Sequence, residues 1–365
     1  MLLKKISLFN FKNYAEADIN LSPGINCFVG LNGSGKTNIL DAIHYLSLTK
    51  SAVNPIDSQS IKHGESLFSI HGEFEHEDRN HQVICGFQLG QKKNVKVDKI
   101  EYDKLSEHIG RFPVVLIAPN DTDIIRDTNE IRRKFFDSII SQFDAQYFQD
   151  LIRYSHYLKQ RNTLLKHFAE TKTYDAIQLD SYDAQLIPLA KKLYVKREAF
   201  NQRFVPILKE HYINLSEGRE QVTINYQSRA CNSNFESLFA NSREKDRYSQ
   251  RSNVGIHKDE YDFQIDENPL KKFGSQGQQK SFLIALKLSQ FEIIKEEKGF
   301  KPLLLLDDIF DKLDDFRIKK LVEMVASHKF GQLFITDARP ERSKVLLQGL
   351  GEEVKVFVME SGTIL

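Results

Sequence analysis

The sequence has no run of about 18 apolar residues, the length that a membrane-spanning helix requires. Runs such as the four leucines at 303–306 are long enough only for a buried strand. Residues 1–5 read Met-Leu-Leu-Lys-Lys and lead directly into alternating apolar residues, which is not the layout of a cleavable signal peptide. We therefore expect no transmembrane segment, no export signal and no membrane partner.

Cysteine is scarce in this chain. The 365 residues include three, Cys27, Cys85 and Cys231, and no two of them form a Cys-x-x-Cys pair. Widely separated thiols disfavour a disulfide framework and a zinc site, and they are typical of proteins in a reducing compartment. The pattern predicts a cytoplasmic location.

Net charge is small as well. At +1, the chain as a whole lacks the basic excess that is typical of nucleic-acid-binding proteins. The charge is uneven, however, because residues 151–215 contain eleven Lys and Arg against six Asp and Glu. Such a local excess fits the solvated face of a helix, which is the more common case, or a surface that binds phosphates.

The length and the apolar pattern predict two domains. A chain of 365 residues is too long for one compact core, and 41% hydrophobic residues suffice for globular folding. Alternating apolar residues predict strands near the start, including a buried strand at 25–29 and an antiparallel meander over 66–98. The last quarter alternates helical spacing with buried strands, which favours a parallel sheet with crossover helices. We expect one α/β domain built from both ends of the chain.

The middle of the chain has helical periodicity instead. Residues from 151 to 168 step by three and four, as in a coiled-coil seam. A second segment repeats apolar residues at intervals of seven: Leu186, Leu193, Phe200 and Ile207. Pro188 and Pro206 should make this helix irregular, since proline removes a backbone hydrogen bond. A turn near 171–175 would join the two into an antiparallel helical arm, so we predict an arm at 129–220 and a head formed by 1–128 and 221–365.

Residues 30–37 read Gly-Leu-Asn-Gly-Ser-Gly-Lys-Thr, the G-x-x-x-x-G-K-T pattern of a phosphate-binding loop. Glycines let backbone N–H groups converge on phosphate oxygens, and the helix that follows offers unpaired N–H groups at its N-terminus. Lys36 would reach the β- and γ-phosphates, and the Thr37 hydroxyl would ligate Mg²⁺. A predicted strand before the loop and a helix after it make an incidental glycine-rich turn a poor alternative.

Asp307 and Asp308 follow the four leucines at 303–306. A strand buried on both faces would carry them at its C-terminal end, where α/β sheets bind ligands. Asp307 would hold Mg²⁺ directly or through water, and Asp308 could act as the general base that polarises the attacking water. Alone, the pair could equally be a solvated strand end or a helix cap, but a phosphate loop in the same chain favours the catalytic interpretation.

Residues 274–280 read Gly-Ser-Gln-Gly-Gln-Gln-Lys and precede an amphipathic helix. Their Ser-x-Gly-Gln core resembles the signature motif of ABC ATPases, and it precedes the strand with the two aspartates by about thirty residues, the order found in that family. The resemblance implies that Ser275 and the helix N-terminus contact the γ-phosphate held by a second copy of the chain. An isolated Ser-x-Gly-Gln would be only a flexible loop before an ordinary helix.

Three further segments lie where ABC ATPases have conserved loops. Residues 311–314, Asp-Lys-Leu-Asp, resemble its D-loop, except at the first position, where a small residue is common. Residues 332–337 lie where transporter ATPases have a switch histidine, and since no histidine is present, Thr336 or Asp337 would have to contact the γ-phosphate. Asn120 and Asp121 are candidates for the glutamine-loop role.

The 239 residues between Lys36 and Ser275 far exceed the interval in transporter ATPases and resemble the layout of SMC-like proteins, whose insert is a coiled coil. Several phrases in order along the chain resemble the RecF family in particular. They are Phe-Asn-Phe-Lys-Asn-Tyr at 9–14, Gly-Lys-Thr-Asn-Ile-Leu-Asp-Ala-Ile at 35–43, Pro-Asn-Asp at 119–121 followed by Arg132-Arg133 and Phe136-Asp137, and Gly-Ile-His-Lys-Asp-Glu at 255–260. Ile256, Lys258 and Glu260 depart from the family's G-P-H-R-D-D phrase.

The resemblance implies an α/β fold, namely an ABC-type (SMC-like) P-loop ATPase head with a mixed sheet and an inserted antiparallel helical arm. It also implies a cytoplasmic protein of recombinational repair that binds ATP and Mg²⁺, forms an ATP-dependent homodimer, and hydrolyses ATP weakly with stimulation by DNA. Its partners would be gapped or double-stranded DNA, bound independently of sequence, and a RecR-type protein. The nucleotide would be held by Gly30, Asn32, Gly33, Ser34, Gly35, Lys36, Thr37 and Asn38, and in trans by Ser275, Gly277 and Gln278. Mg²⁺ would be held by Thr37 and Asp307. Catalysis would use Asp308, Lys36 and Ser275.

Candidate DNA contacts are the cations of the arm together with Arg132 and Arg133, although an internal salt bridge or helix-surface charge is an equal alternative for that pair. Other functions are opposed by sequence features. The long interval and the missing histidine oppose an ABC transporter subunit. A short arm without a cysteine hook opposes a chromosome-organising SMC-like clamp. We expect no nuclease domain of the overcoming-lysogenization class, since about fifty residues follow Asp308.

Overall fold

The chain folds as two compact units, one formed by Met1–Asp121 with Ile284–Leu365 and the other by Thr122–Leu283. The computed structural model describes residues 1–216, 218, 220–309, 318, 320, 323, 330–342, 353–360 and 362–364. The predicted D-loop at 311–314 lies outside the described residues. No described helix combines the length and the apolar character that crossing a membrane would take.

The elements follow one another in this order. Residues 1–121 contain β1 (Leu2–Phe11), β2 (Tyr14–Asn20), β3 (Ile25–Val29), α1 (Lys36–Leu48), β4 (Leu67–His76), β5 (Arg79–Gln88), β6 (Asn94–Val97), β7 (Ile100–Glu101) and β8 (Val114–Ile117). Residues 122–275 contain α2 (Asp123–Arg126), α3 (Asn129–Phe143), α4 (Ala145–Thr171), α5 (Ala176–Ser216), β9 (Val222–Gln227), α6 (Phe235–Asn241), α7 (Arg243–Ser249), β10 (Glu260–Ile265), β11 (Asn268–Pro269) and α8 (Leu270–Phe273). Next come α9 (Gln276–Lys298), β12 (Leu303–Leu306), β13 (Leu333–Asp337), β14 (Val354–Glu360) and β15 (Thr363–Ile364).

An antiparallel sheet of the first unit has the strand order β2-β1-β4-β5-β6-β7. Its strands alternate buried and exposed residues; in β4, for instance, Phe68, Ile70 and Phe74 are buried. Phe68 packs edge-on against Tyr45 of α1, with ring centroids 5.4 Å apart, so the apolar face of the sheet lies against that helix. The antiparallel meander predicted over 66–98 is confirmed.

The second sheet of the first unit has the order β15-β14-β3-β13-β12-β8. Neighbours from β14 to β8 run parallel and β15 is antiparallel, so the sheet is mixed. Every residue of β3, β12 and β13 is buried, as is typical of parallel strands covered on both faces. Because β13 lies between β3 and β12, the carboxyl ends of these three strands are adjacent, which places residues 30, 337 and 307 side by side.

The second unit is built on long helices. α4 and α5 are joined by residues 172–175 and pack against each other, as the apolar period predicted. Of the predicted seam, Leu186, Leu193 and Phe200 are buried, and Pro188 and Pro206 lie inside α5, which spans 41 residues. The seam also contains charge. Arg161 is fully buried, and its guanidinium contacts the carboxylates of Asp183 and Asp246 at 2.7 and 2.8 Å.

The second unit extends beyond the predicted arm. The sequence assigned residues 221–283 to the head, whereas the compact unit groups them with the helices. Aromatic contacts join these residues to the helices. Phe136 of α3 stacks on Tyr261 of β10 with ring centroids 4.2 Å apart, and Phe204 of α5 packs edge-on against Phe136. Whether 129–220 acts as an arm in its own right stays a prediction.

Candidate functional site

The loop at 30–35 connects β3 to α1 and depends on its glycines. Gly35 precedes α1 with φ 108°, in the left-handed region, and a Cβ there would lie 2.5 Å from Asn13 Nδ2. At Gly30, a Cβ would lie 2.3 Å from the carbonyl oxygen of Met359. The Ser34 hydroxyl is buried without a hydrogen-bond partner among the described residues, which fits a loop shaped to receive an oxygen-rich anion.

Lys36 is the first residue of α1 and is only 4% exposed. Its ammonium donates hydrogen bonds to the carbonyl oxygens of Gly30 and Leu31, at 2.8 and 2.9 Å. The side chain is therefore folded over the loop, with its charge among the backbone groups that would surround a phosphate. Of the other predicted loop residues, Asn32 and Gly33 are exposed.

Asp307 receives two hydroxyl hydrogen bonds on one oxygen. Thr37 Oγ1 and Thr336 Oγ1 each donate to Asp307 Oδ1 at 2.8 Å. Burial raises the pKa of Asp307, while these two hydrogen bonds act in the opposite direction. Hydroxyl and carboxylate oxygens are the ligands that Mg²⁺ prefers, so Thr37 and Asp307 fit that ion.

Asp308 lies beside this cluster in an unusual backbone conformation. Its φ is 45°, in the left-handed region that aspartate and asparagine tolerate better than most residues. Its backbone N–H donates to Thr336 Oγ1 at 2.9 Å. The hydroxyl of Thr336 therefore contacts both aspartates, a link that the sequence did not predict.

Asp337, the residue after Thr336 in β13, pairs with an arginine. The carboxylate of Asp337 pairs with the guanidinium of Arg342 at 2.6 Å and is almost fully buried. The predicted contact of Thr336 or Asp337 with a γ-phosphate stays a prediction. The observed role of both side chains is to join neighbouring parts of the first unit.

The turn between β1 and β2 supports the phosphate-binding loop from outside. Tyr14 donates to the carbonyl oxygen of Gly35 at 3.0 Å, and burial raises the pKa of this phenol. The amide of Asn13 accepts from Asn38 Nδ2 at 2.7 Å, so the predicted nucleotide contact Asn38 is tied to this turn. In addition, Lys12 forms a buried ion pair with Asp41 of α1 at 2.6 Å. In the sequence, the only signal in this segment is its resemblance to the family.

The glutamine-loop candidates follow β8, the strand next to β12. The backbone N–H of Asp307 donates to Ile117 O at 2.8 Å, which places the segment after β8 beside the aspartates. There, Asp121 pairs with Lys287 of α9 at 2.8 Å, whereas Asn120 is exposed. Asn120 is thus the more accessible of the two candidates, and its glutamine-loop role stays a prediction.

The signature segment belongs to the second unit and caps α9. Ser275 Oγ accepts from the backbone N–H of Gln278 at 3.2 Å, and Gln278 Oε1 accepts from the N–H of Ser275 at 2.7 Å. This reciprocal pair is a capping box, which fixes the first turn of the helix. Ser275 is exposed, and Gly277 lies half-buried in the same turn. The helix tip is therefore a capped N-terminus with an exposed Ser275, and anion binding there stays a prediction.

The arginine pair of α3 has a structural role. Arg132 is 8% exposed, and its guanidinium donates to the carbonyl oxygens of Ile124, Ile125 and Tyr261 at 2.7 to 3.0 Å. The structure therefore removes Arg132 from the candidate DNA contacts, since its charge is buried and each of its three guanidinium nitrogens donates to a backbone carbonyl. Its partners are backbone carbonyls rather than the carboxylate of a salt bridge. Arg133 is half-buried and bonds the carbonyl oxygen of Asp259 at 2.5 Å.

Comparison with known proteins gives consistent results along the whole chain. The family described as "RecF/RecN/SMC N terminal domain" matches residues 2–364. The DNA replication and repair protein RecF of Cytophaga hutchinsonii is 47% identical over 364 residues, covering 100% of this chain and 96% of that protein. The protein of the same name from Flavobacterium johnsoniae is 48% identical over 357 residues, covering 98% and 99%.

Solved structures of RecF and Smc proteins are similar to this chain. One, described as the recombination mediator protein RecF-ATPrS in the RecFOR pathway, matches with a TM-score of 0.89 and 28% identity, covering 99% of this chain and 97% of that chain. The Smc head domain with an extended coiled coil from Pyrococcus furiosus matches with a TM-score of 0.58 and 18% identity, covering 100% and 95%. This second likeness concerns the fold alone. The predicted ABC-type, SMC-like ATPase fold is confirmed, and the near-full-length match to RecF proteins shows that the chain belongs to the RecF family.

Proposed function

We propose that this chain is an ATP-dependent DNA-binding protein of recombinational repair. ATP would bring two copies together around DNA at gaps, and slow hydrolysis would release them. This cycle would assist the loading of a recombinase. The observation that carries the proposal is the convergence of Thr37, Asp307 and Thr336 beside a complete phosphate-binding loop. Relatives named for DNA replication and repair, and RecF structures described with ATP, support it.

Triphosphate binding would use the loop and the start of α1. Lys36 would exchange its carbonyl partners for β- and γ-phosphate oxygens, which are stronger acceptors because they are charged. Thr37 and Asp307 would hold Mg²⁺, which neutralises phosphate charge during transfer. Asp308 would orient and deprotonate the attacking water, and its neighbouring N–H is already fixed by Thr336.

The second copy would complete the site. Ser275 is exposed at the N-terminus of a helix of 23 residues, and such a terminus favours an anion through its N–H groups and its dipole. The γ-phosphate of one chain would therefore attract the helix tip of the other. This supports an ATP-dependent homodimer, in which Ser275, Gly277 and Gln278 act in trans.

DNA would be bound through its phosphates, independently of sequence, and binding would be salt-sensitive. Hydrolysis of ATP would be weak and stimulated by DNA, and the expected protein partner is of the RecR type, in keeping with the RecFOR pathway in which the solved relatives are described. A cytoplasmic location, expected from the three free thiols, belongs to the same proposal. The alternative of a chromosome-organising clamp has less support, because the Smc likeness is at 18% identity.

The test is static light scattering of the full chain with and without ATP, Mg²⁺ and a gapped duplex. We expect the mass to double with ATP and to increase further with DNA. The exposed Lys104, far in sequence from every motif, provides a control variant, Lys104→Ala, that should behave as the wild type. A mass that never responds to ATP would contradict the proposal.

A further inference from the structure

The loop at 251–259 is held rigidly by buried polar groups of α4 and α5. Tyr154 and His257 share a hydrogen bond of 2.8 Å between the phenol oxygen and Nδ1, and His257 Nε2 bonds the carbonyl oxygen of Ser252 at 3.0 Å. Arg197 Nη1 donates to the carbonyl oxygen of Ile256 at 2.9 Å. Hydrogen bonds to Ser252, Ile256 and His257 thus fix the loop at several positions along its length.

Two further features leave this loop little freedom. Asn162 Oδ1 accepts from both the backbone N–H and the hydroxyl of Ser252, each at 2.8 Å. Gly255 has φ 135°, and a Cβ there would lie 2.3 Å from the Tyr154 hydroxyl oxygen, so only glycine fits. Such a network rigidifies a loop well beyond what a surface connection needs.

The rigid loop holds cations close together. Lys258 and Arg251 are exposed, and the hydrogen bond between His257 and Ser252 joins the residues next to them. Arg133 bonds the carbonyl oxygen of Asp259, the residue after Lys258. Burial, and then the charges of Arg251 and Arg133, lower the pKa of Lys258.

Four carboxylates that act on these cations already have partners. Glu130 pairs with Lys134 at 2.6 Å, and Asp246 pairs with the buried Arg161 at 2.8 Å. Asp137 and Asp259 both pair with Arg197. Three like charges held close in this way repel one another, so an anion bound between them would be stabilised.

An exposed aromatic residue lies close in sequence to Arg251. Tyr248, three residues before Arg251, is 92% exposed at the end of α7. Its neighbour Arg247 stacks on the Tyr174 ring at 3.9 Å, so this end of the helix is itself packed against the α4–α5 turn. An exposed tyrosine beside cations is the combination that binds unpaired bases, because the ring stacks on a base while the cations contact phosphates.

We call Arg133, Tyr248, Arg251 and Lys258 the Tyr248 surface. We propose that the Tyr248 surface binds single-stranded nucleic acid, with phosphates on the three cations and one base stacked on the tyrosine ring. This inference rests on the proposed function, because it states which part of a gapped DNA the second unit contacts. A duplex could use the cations alone, since its bases are already stacked on one another.

The experiment is fluorescence anisotropy with fluorescein-labelled oligothymidylate and a labelled blunt duplex, using the full chain with ATP and Mg²⁺ over a range of salt. Tyr248→Ala should weaken binding to oligothymidylate roughly fivefold or more, with an unchanged salt slope, and should leave duplex binding as it was. Tyr248→Phe, which keeps the ring, should bind as the wild type does. Lys258→Ala and Arg251→Ala should each make the salt dependence shallower by about one unit.

The outcomes separate the two proposals. Oligothymidylate binding that is equal in the wild type, Tyr248→Ala and Lys258→Ala would overturn the inference and leave the proposed function intact. Binding of the duplex without any binding of oligothymidylate would do the same. Binding of neither probe would overturn both. Lys104→Ala controls for the general loss of one positive charge.

Discussion

Thr37 donates a hydrogen bond to Asp307 at 2.8 Å although 270 residues separate them in the chain. Thr37 lies in the first turn of the helix after the phosphate-binding loop, and Asp307 follows a strand near the opposite end of the sequence. Their contact requires β3, β13 and β12 to be neighbours in register, which the parallel sheet provides. A correctly folded first unit is therefore a precondition for a competent magnesium site.

Replacing Lys36 should abolish tight nucleotide binding. In Lys36→Ala the loop keeps its glycines but loses the charge that would contact the phosphates, and charge-assisted hydrogen bonds contribute about 1.5–3 kcal/mol each. We expect ATP affinity to fall at least about tenfold, as measured by isothermal titration calorimetry with Mg²⁺. Lys104→Ala is the matched control, and unchanged ATP affinity of Lys36→Ala would refute the loop assignment.

Replacing Thr336 tests the link between the two aspartates. Thr336→Val keeps the shape of the side chain but removes the hydroxyl that contacts Asp307 and the N–H of Asp308. The N–H of Asp308 would lose this acceptor, and Asp307 Oδ1 would keep only the hydrogen bond from Thr37. This loss should cost about 1–3 kcal/mol in the free energy of unfolding, measured with urea, and should reduce ATP hydrolysis. Thr336→Ser retains the hydroxyl and should recover most of both losses. Equal behaviour of the valine and serine variants would show that the hydroxyl is unimportant.

Asp308→Asn should separate ATP binding from hydrolysis. Asparagine tolerates the left-handed backbone at this position, so the fold should be preserved. Loss of the general base should slow hydrolysis by about a hundredfold or more, while ATP affinity persists. The variant should therefore accumulate as an ATP-bound dimer in light scattering, and a variant that stays monomeric with ATP would contradict assembly in trans.

Stability of the first unit should depend on pH through His108. This side chain is fully buried, its Nε2 donates to the carbonyl oxygen of Leu46 at 2.6 Å, and burial lowers its pKa from 6.5 to about 4. Between these values the unfolded chain binds a proton that the folded chain does not, so the free energy of unfolding falls as the pH decreases. From neutral pH to about pH 5, the contribution of His108 should be a loss of about 2 kcal/mol.

Urea unfolding at the two pH values checks this expectation. The pH-dependent loss should be smaller in His108→Gln than in the wild type by about that amount. Other buried histidines, such as His257, titrate in the same direction and contribute equally to both proteins, so the comparison isolates His108. An identical pH dependence in the two proteins would mean that His108 is protonated in the folded state without cost.

Local patterns predicted the loop at 30–37, the aspartates after β12 and the helix start at Ser275, because each depends on a short segment with its own geometry. Thr336 and the Asn13–Tyr14 turn were not predicted as parts of the site. Their contacts depend on the order of strands in the sheets, which the periodicity of a single strand does not contain.

The local excess of positive charge at 151–215 does not correspond to exposed charge alone. Arg161 and Arg197 belong to the basic excess at 151–215, yet both are buried in ion pairs inside the second unit. The periodicity of α4 placed Arg161 in the apolar seam, which was the signal that it is buried. The surface that we propose for nucleic acid contains no residue from 151–215.

The backbone at Asp308 has a consequence for natural variation. A φ of 45° strains β-branched and bulky residues whatever their chemistry, so a library of all substitutions at this position should enrich asparagine and glycine among well-expressed proteins. The abundance of the folded variants and their rates of ATP hydrolysis would then rank the substitutions differently. A variant found at position 308 in a genome therefore needs both measurements before its phenotype is attributed to lost hydrolysis.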